Sequence, residues 1–468
     1  MFGLATIPRQ VRRARERREA KVERTLRRSF EAGTSRRFPG TSSAYVSHDG
    51  ASRAAAPVVR ARARHAYANN PLIRNPVDAW VAEAVGAGIE ANSAHPEADI
   101  AASIDAAFLS ASERLDADDR TDMRGLCAEI VRAEIVDGEA FVHMTERDGR
   151  TVLRLIPAER VDESDTRNLS DGGYVLAGIQ FDADGNRVAY HVHRGDPSSA
   201  LGALGTVRIP ASDMLHVFRP AGPGAVRGVS RLASVLTVAN ELDQWSDATI
   251  VGHKIAAMNA GFVVDVNATG TAFPLGASYG DTADISLEPG VVRVLPAGCD
   301  IRFNTPEQTK DGIAFAKLLI AQIAAGLGVP THLVDGDLSS ANYSSLRAGL
   351  LPFRAKVEQY VYQTLVPQLL SPVFRRVVAT EVLSGRLDVA DLDDAFAVEW
   401  LPPRPMQVDP AKDADAMRSL MDMGLLSRRQ AAASLGWNVA SLDAEIAADA
   451  ARETALGLSF TATGAANV

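Results

Sequence analysis

Two long segments of the chain place hydrophobic residues at the three- and four-residue spacing of an amphipathic helix, and a differently patterned segment separates them. The first covers residues 229–258 and the second residues 305–329. Between them, residues 260–265 and 291–295 are typical of short strands, around a Gly-, Ala- and Thr-rich stretch at 267–286. The pattern predicts a helix, a small β-rich insertion and a second helix.

Sequence signals specify both ends of the second helix. Thr305 can cap it, Pro306 suits its first turn and Gln308 can complete a capping box, while the stretch from Gly326 to Pro330 ends it. The side expected to face a core carries Ile313, Ala316, Ile320, Ile323 and Leu327. The opposite side carries Lys310, Ala314, Lys317, Ala321 and Ala325. We expect one buried face and one exposed face of mostly small residues, which is mildly basic.

A polar segment follows this helix and precedes another long one. Residues 335–345, DGDLSSANYSS, favour loop and cap conformations, and Ser344 or Ser345 is a candidate N-cap for the next helix. Pro352 lies inside that helix, where a proline removes a hydrogen bond and costs about 3 kcal/mol unless the helix bends. The sequence therefore predicts a kink near Pro352.

The N-terminal half mixes helical and alternating patterns. Helices are predicted at residues 70–89, with Trp80 and Val81 in the core, and at residues 116–136, ending at Gly138. The core positions of the second helix are Met123, Leu126, Ile130 and Ile135. Strands are predicted at residues 140–144, 152–156, 175–181 and 188–193, with the turn residues 182–186 joining the last two. The fold class is α+β.

The C-terminal region begins after a proline cluster. Pro402, Pro403 and Pro405 mark the boundary, and residues 409–456 are Ala-rich with a helical pattern. An apolar stripe is formed there by Met417, Leu420, Met421 and Leu425. At 468 residues, the length allows two to four domains.

Charge is unevenly distributed along the chain. Of 49 Lys and Arg residues, 16 lie in residues 1–64 with 5 of the 58 acidic residues, which leaves 33 basic and 53 acidic residues for the remainder. A basic arm thus precedes an acidic body. Such an arm can contact nucleic acid or an acidic surface, and a solvated tail explains it equally well.

Composition indicates a soluble protein of a reducing compartment. Hydrophobic residues make up 46% of the chain, and Cys127 and Cys299 form no CxxC pair or disulfide framework. The first residues lack the apolar core of a signal peptide, which favours an intracellular protein. The apolar run at 318–334 is interrupted by Gln322, two glycines, Pro330 and His332, so no membrane span is predicted.

The motifs for catalysis or metal binding are weak. The chain has no GxxxxGK[ST] or HExxH, and Gly222, Gly224 and Gly228 do not have GxGxxG spacing. His191 and His193 could form a metal pair but are more simply explained as strand residues. Asp182, Asp184 and Asn186 resemble the start of an EF-hand loop without its final Glu, and a hairpin turn explains them. We expect no catalytic residue, metal or cofactor.

A serine hydrolase is the alternative of a different class. It would use Ser344 or Ser345 with His332 and either Asp335 or Asp337, although the sequence has neither a nucleophile elbow nor an oxyanion signature.

A long string around the polar segment resembles the signature of a known family. Residues 326–350 contain GLGVP, GDLS, NYSS and RAGL in that order, and RNPVDAWV, GEAFVHM, LEPGVVRVLPAG and LVPQLLSPVFRRVV occur elsewhere. This chain resembles the lambda-type portal proteins of tailed bacteriophages. The resemblance runs roughly over residues 66–456.

The resemblance implies a portal fold with an α/β wing, two stem helices flanking a small β-rich clip, a tunnel loop and a helical C-terminal crown. In this chain the parts correspond to a basic arm and linker at 1–64, wing at 65–228, first stem helix at 229–259, clip at 260–304, second stem helix at 305–329, tunnel loop at 330–344, second part of the wing at 345–400, crown at 401–456 and a tail at 457–468. The order of predicted elements agrees with this assignment.

The resemblance also implies function and partners. A dodecameric ring at one capsid vertex would pass double-stranded DNA during packaging and ejection, and would dock the terminase large subunit, the head–tail adaptor and the major capsid or scaffolding protein. Such a protein is part of the virion, is assembled in the host cytoplasm and does not enter a membrane. The tunnel loop would contact DNA through Asp335, Asp337, Leu338, Ser339, Ser340, Ala341, Asn342 and Tyr343. The stem would face the channel with Lys310, Ala314, Lys317 and Ala321.

Overall fold

A computed structural model describes residues 48–197, 205–257, 261–265, 299–303, 312–339, 343–403 and 410–458. In these ranges helices and strands alternate, which confirms a mixed helix and strand fold. The α-helices are α1 His48–Asn69, α2 Pro71–Val85, α3 Ala98–Ser112, α4 Met123–Asp137, α5 Leu236–Ala257, α6 Gly312–Leu327, α7 His332–Asp335, α8 Tyr343–Tyr360, α9 Ser371–Leu383, α10 Leu392–Ala395, α11 Pro410–Asp422, α12 Arg428–Ser434 and α13 Val439–Leu456.

The strands form four sheets. They are β1 Glu90–Ser93, β2 Glu139–Arg147, β3 Arg150–Ile156, β4 Arg167–Asn168, β5 Tyr174–Leu176, β6 Ile179–Phe181, β7 Arg187–His193, β8 Thr206–Pro210, β9 Met214–Phe218, β10 Gly261–Asp265, β11 Cys299–Phe303 and β12 Val398–Leu401. Their orders are β3-β2-β9, β4-β5-β6-β7-β8, β1-β12 and β10-β11, and all described pairings are antiparallel.

The main core lies between helices α2 and α4, the sheet β3-β2-β9 and the helical run that follows Tyr343. Trp80 of α2 packs edge-on against Phe353 and Tyr360 of α8, with ring centroids 5.3 and 6.2 Å apart. Such aromatic contacts add about 0.5–1.5 kcal/mol each beyond the area that they bury. The N-terminal helices and the helix after the polar segment are thus parts of one core.

The helical run after Tyr343 is continuous. Helix α8 passes through Pro352 and continues as a π-helix, Val361–Leu370, and then as α9. Pro352 therefore does not end the helix, and the bend expected there stays a prediction. The π-helix contains Pro367, and its wider turn buries Leu365, Leu369 and Leu370 on one side. Long π-helical stretches are rare, and the sequence analysis missed this one.

Several boundaries differ from those expected. Helix α4 begins at Met123 instead of residue 116, because Asp116 folds back to accept the backbone N–H groups of Asp118, Arg120 and Thr121. Residues 229–235 are not part of helix α5, which begins at Leu236 after a 3₁₀ turn. Helices α1 and α3 and strands β1, β4, β8, β9, β11 and β12 were not predicted, and residues 48–64 of the expected arm and linker lie in helix α1. Local sequence signals left these elements unspecified.

The stretch predicted as one strand at 175–181 is two strands. Residues Ala177 and Gly178 have φ of 51° and 79° and form the two-residue turn between β5 and β6. Both central residues of this hairpin turn need positive φ, which glycine adopts without strain. The turn at 182–186 also forms, with the Asp182 carboxylate accepting the backbone N–H groups of Asp184 and Asn186. This confirms the predicted hairpin.

The β-rich insertion is described only at its ends. Strand β10 pairs along its whole length with β11, at residues 299–303. The expected strand at 291–295 lies outside the described residues, as do 267–286.

A buried ion cluster ties helix α1 to the two larger sheets. Glu139 at the start of β2 accepts three guanidinium hydrogen bonds from Arg227, the shortest of 2.6 Å, and one from Arg60 of α1 at 3.3 Å. Burial alone would raise the pKa of Glu139, but Arg227 and the hydrogen bond from His216 hold it well below its usual range. The carboxylate is therefore charged and satisfied. Arg64, which also lies on α1, forms further ion pairs with Asp137 and Glu159.

His216 is neutral in this cluster. Its ring stacks between Phe141 and Phe218, each 4.2 Å away between centroids, and its Nε2 lies 2.9 Å from the Glu139 carboxylate. Arg187 can only donate to Nδ1, so the network assigns the proton to Nε2. Burial lowers the pKa of His216 to about 4, although Glu139 acts in the opposite direction.

We expect His216 to make the protein sensitive to mild acid. The unfolded chain takes up this proton near pH 6.5 and the folded chain near pH 4, so the unfolded state binds more protons between these values. Stability is therefore lost as pH falls, by roughly 2–3 kcal/mol from this residue between pH 7 and about pH 4.5. Urea denaturation at both pH values measures the loss, which should be smaller by that amount in His216→Gln. A matched control, His65→Gln on the exposed face of α1, should keep the wild-type dependence, and identical curves for wild type and His216→Gln would refute the assignment.

Candidate channel segment

The described part of the second long helix, α6, has one buried and one exposed side. Its core residues are Leu319, Ile323, Ala324 and Leu327. The proposed channel-facing residues Ala314, Lys317 and Ala321 are all exposed. Lys310 and the predicted cap at 305–308 lie outside the described residues.

The first turns of α6 are less buried than expected. Ile313 was predicted in the core, and this is wrong, because its side chain is 76% exposed. These turns lie along helix α5, where the Trp245 ring contacts Phe315 at 6.0 Å between centroids.

The C-terminal end of α6 is fixed to the main core. Trp80 Nε1 donates to the carbonyl of Leu327 at 3.0 Å, and Gly326 lies so close to Val235 that a Cβ there would be 2.3 Å from its Cγ1. A side chain at 326 would therefore push the helix off the body. Gly328 then ends the helix with φ of 72°, which confirms the predicted break.

The polar segment begins with a short helix and two tight turns. Asn75 of α2 donates to the carbonyl of Leu333 at 2.9 Å, which fastens helix α7 to the body. Asp335 then accepts the N–H of Asp337 at 3.0 Å, and Asp337 accepts the N–H of Ser339 at 2.9 Å. Two successive aspartate turns of this kind specify a backbone path without any hydrophobic contact.

Lys317 and Asp337 face each other across this segment. Their charged atoms are 3.7 Å apart, and the Lys317 side chain is 65% exposed. Hydrogen bonds from Ser339, and then the charge of Lys317, lower the pKa of Asp337. Because the carboxylate lies beside the ammonium, the basic charge on this face of α6 is largely balanced. This face of α6 therefore carries small and polar side chains and attracts an anion only weakly.

The other predicted contact residues are partly described. Leu338 is exposed, and Asp335 belongs to helix α7 instead of a loop. Ser340, Ala341 and Asn342 lie outside the described residues. Tyr343 begins helix α8, so the expected cap at Ser344 or Ser345 is wrong, because both lie in the first turn of that helix.

The residues of the hydrolase alternative have other uses. The carboxylates of Asp335 and Asp337 accept backbone N–H groups, Asp337 faces Lys317, and Ser344 and Ser345 are helical. A nucleophile needs its base within hydrogen-bond reach and the base needs an orienting group. In the part of the chain that the structure describes, the carboxylates of Asp335 and Asp337 instead accept backbone N–H groups, and Asp337 also faces the Lys317 ammonium.

The two histidines of β7 are each opposite an aspartate. His191 Nδ1 lies 3.7 Å from Asp165, and His193 Nε2 lies 3.6 Å from Asp162. Among the described residues, no group of three or more His, Cys, Asp or Glu side chains is arranged to hold a metal ion. The strand interpretation of this pair agrees with the geometry.

Helices α5 and α6 carry a set of exposed apolar side chains, here called the apolar strip. Its members are exposed among the described residues: Ile250, Val251, Ile313, Phe315 and Leu318. Phe315 and Leu318 lie outside the side of α6 that was expected to face the core, whereas Ile313 lies on that side. A helix with apolar residues on more than one side indicates more than one partner.

The described residues thus form a mixed helix and strand fold in which the exposed face of α6 meets the polar segment at Lys317 and Asp337. A family profile described as phage portal protein, lambda family, matches residues 34–360. This chain belongs to the lambda family of phage portal proteins. It is a family of virion structural proteins, and the sequence-based assignment to it is confirmed.

Curated relatives agree with the family. A probable portal protein of Halomonas phage phiHAP-1 is 25% identical over 297 residues, which cover 60% of this chain and 57% of that protein. Portal protein B of Escherichia phage lambda is 24% identical over 371 residues, covering 70% of this chain and 69% of that protein. The chain thus spans little more than half of the Halomonas relative.

Solved structures include similar folds. One chain from the neck of an empty GTA particle has a TM-score of 0.47 and 18% identity, over 80% of this chain and 92% of that chain. Separately, the described helices contain none whose length and apolar character suffice to cross a membrane.

Proposed function

We propose that this protein forms a dodecameric ring at one capsid vertex and is the channel for double-stranded DNA during packaging and ejection. Its partners in this role are the terminase large subunit, the head–tail adaptor and the major capsid or scaffolding protein, and it assembles in the host cytoplasm. It acts without catalysis or a cofactor. The observation that carries the proposal is the family match, which covers helix α6 and the polar segment after it.

We assign the parts of the ring as follows. Helices α5 and α6 belong to the two stem helices, at 229–259 and 305–329, and strands β10 and β11 belong to the clip, at 260–304. Residues 330–344 form the tunnel loop. The body before and after them is the wing, and residues 401–456 form the crown.

The charge balance at the polar segment suits a conduit. A protein that neutralises many phosphates binds DNA tightly through counterion release, and a channel through which DNA slides needs the opposite. Lys317 is balanced by Asp337 at 3.7 Å, and the neighbouring exposed residues Ala314 and Ala321 are small and neutral. This face can touch a duplex without holding it.

The apolar strip on α5 and α6 supports assembly. Exposed side chains such as Phe315 and Val251 cost hydration free energy in a free chain, about 25 cal/mol per Å² of apolar surface. A neighbouring copy that covers them recovers this energy. Side-to-side contacts that rotate to closure give a ring in which every copy covers its neighbour.

We expect the purified protein to form closed rings with a central hole. Light scattering gives the mass, and negative-stain images give the shape and the number of copies. Phe315→Lys should weaken the rings, because a charge at the strip opposes its burial. Leu383→Lys is the matched control, since Leu383 is also highly exposed but lies on α9. A strictly monomeric mass at every salt and protein concentration would contradict the ring.

A further inference from the structure

Two C-terminal helices lie outside the family match. Helix α11 has 13 residues and α13 has 18, and neither contains a fully buried residue. Isolated helices of about 12–15 residues are marginal in water, and most helices are stabilised by packing of an apolar face. A surface from outside the described residues of this chain would therefore stabilise both helices.

Each helix carries an apolar stripe. On α11, Met417, Leu420 and Met421 share one face by the i, i+3, i+4 spacing, and Leu425 continues beyond the helix end. Leu420 is 39% and Leu425 71% exposed. On α13, Leu442 and Ile446 share a face, and Ile446 is 52% exposed. Met417 and Leu442 are half-buried and the other members are exposed, so the two stripes do not fully cover each other within the described residues.

The ends of this region are nonetheless held in place. Arg347 of α8 pairs with Asp413 of α11 at 3.0 Å, and Arg429 of α12 pairs with Glu399 of β12 at 3.0 Å. Asn438, the cap of α13, donates to Asn92 of β1. The stripes thus have fixed positions on the body and are not parts of a free tail.

We propose that the α11 stripe of one copy packs on the α13 stripe of the next copy around the ring. This inference rests on the proposed ring and names its contact in the C-terminal region. A head-to-tail contact uses two different patches, and each copy has one of each, so ring closure covers every stripe. A reciprocal two-fold contact would also cover both stripes but would stop at a dimer, whereas the proposed ring needs the contact to continue from copy to copy.

Charge favours the same pairing. Glu445 and Asp449 flank Ile446 on α13, so joining two α13 stripes would bring like charges together. Arg418 lies next to Met417 on α11 and is exposed. Asp449 also pairs with Arg452 of its own helix at 2.8 Å, and Asp415 and Asp422 lie near Arg418 on α11. Packing α11 on α13 therefore brings Arg418 to Glu445 and lowers the repulsion between like charges. The occupant of each stripe is therefore the other stripe from a second copy of this chain.

Cross-linking of cysteine variants tests the contact in the full chain. Leu420→Cys and Ile446→Cys are combined in a Cys299→Ser background, while buried Cys127 is kept. After treatment with a short bis-maleimide, the double variant should give a ladder of multiples on a denaturing gel. Each single variant should give none, and a mixture of the two single variants should stop at dimers. Leu420→Cys with Leu383→Cys is the matched control and should give no ladder.

The outcomes separate the two proposals. If images show wild-type and variant rings but the double variant gives no ladder, the contact is wrong while the ring stands. If single variants give dimers, or if the double variant stops at dimers, the contact is two-fold and the inference is overturned. If wild type forms no rings and the double variant no ladder, the proposed ring fails and the contact fails with it.

Discussion

Replacing Arg227 by methionine should lower the free energy of unfolding by about 3–5 kcal/mol, the usual cost of leaving one member of a buried ion pair without its partner. Arg227 is 3% exposed and donates to Glu139, and also to the carbonyls of Ala177 and Ala158 at 2.9 and 3.1 Å. Methionine fills a similar space but donates nothing. Urea denaturation at neutral pH measures the effect.

The matched control is an exposed arginine pair. Arg154→Met breaks a 3.5 Å contact with Asp118 in which both side chains are more than half exposed, and it should cost less than about 1 kcal/mol. Arg227→Met combined with Glu139→Gln should recover part of the loss, because the unpaired charge is then removed. Equal stability of Arg227→Met and Arg154→Met would show that the cluster does not stabilise the fold.

Deleting residues 339–342 and joining the ends with two glycines should abolish retention of packaged DNA while leaving rings intact. The deletion stops before Tyr343, because that residue begins helix α8. The neighbouring helices have their own anchors, at Trp80 and Asn75, so the body does not depend on this segment. Changes in the length of a flexible loop cost only about 0.6 kcal/mol per doubling. Packaging into capsids built with the variant, scored for full-length DNA, measures the effect.

A control of equal size distinguishes this role from general damage. The same deletion at residues 221–224, a Gly- and Pro-rich stretch before Arg227, should leave DNA retention unchanged. Normal retention in the 339–342 variant would refute the proposed contact with DNA. Loss of rings in that variant would show instead that the segment is structural.

The sequence predicted elements whose signals are local. Asn70 caps α2, Gly138 ends α4, Gly328 ends α6 and the 182–186 turn joins two strands, all within a few residues of the signal. The core positions of α4 were also correct, since helical periodicity alone identifies a buried face. The exposed face of α6 followed from the same periodicity, and the family followed from the string around the polar segment.

The sequence by itself thus determined the family, most helices and the exposed side of α6, because caps, turns and periodicity act over one or two turns of chain. Only the tertiary structure decided that Arg60, Glu139, His216 and Arg227 share one buried cluster, since their charges meet across 168 positions of sequence, from 60 to 227. It also decided that Lys317 is balanced by Asp337, that β10 pairs with 299–303, and that Ile313 stays exposed. Such outcomes depend on which surfaces pack together. Periodicity identifies an apolar face of a helix, but it does not specify which other part of the fold packs on that face.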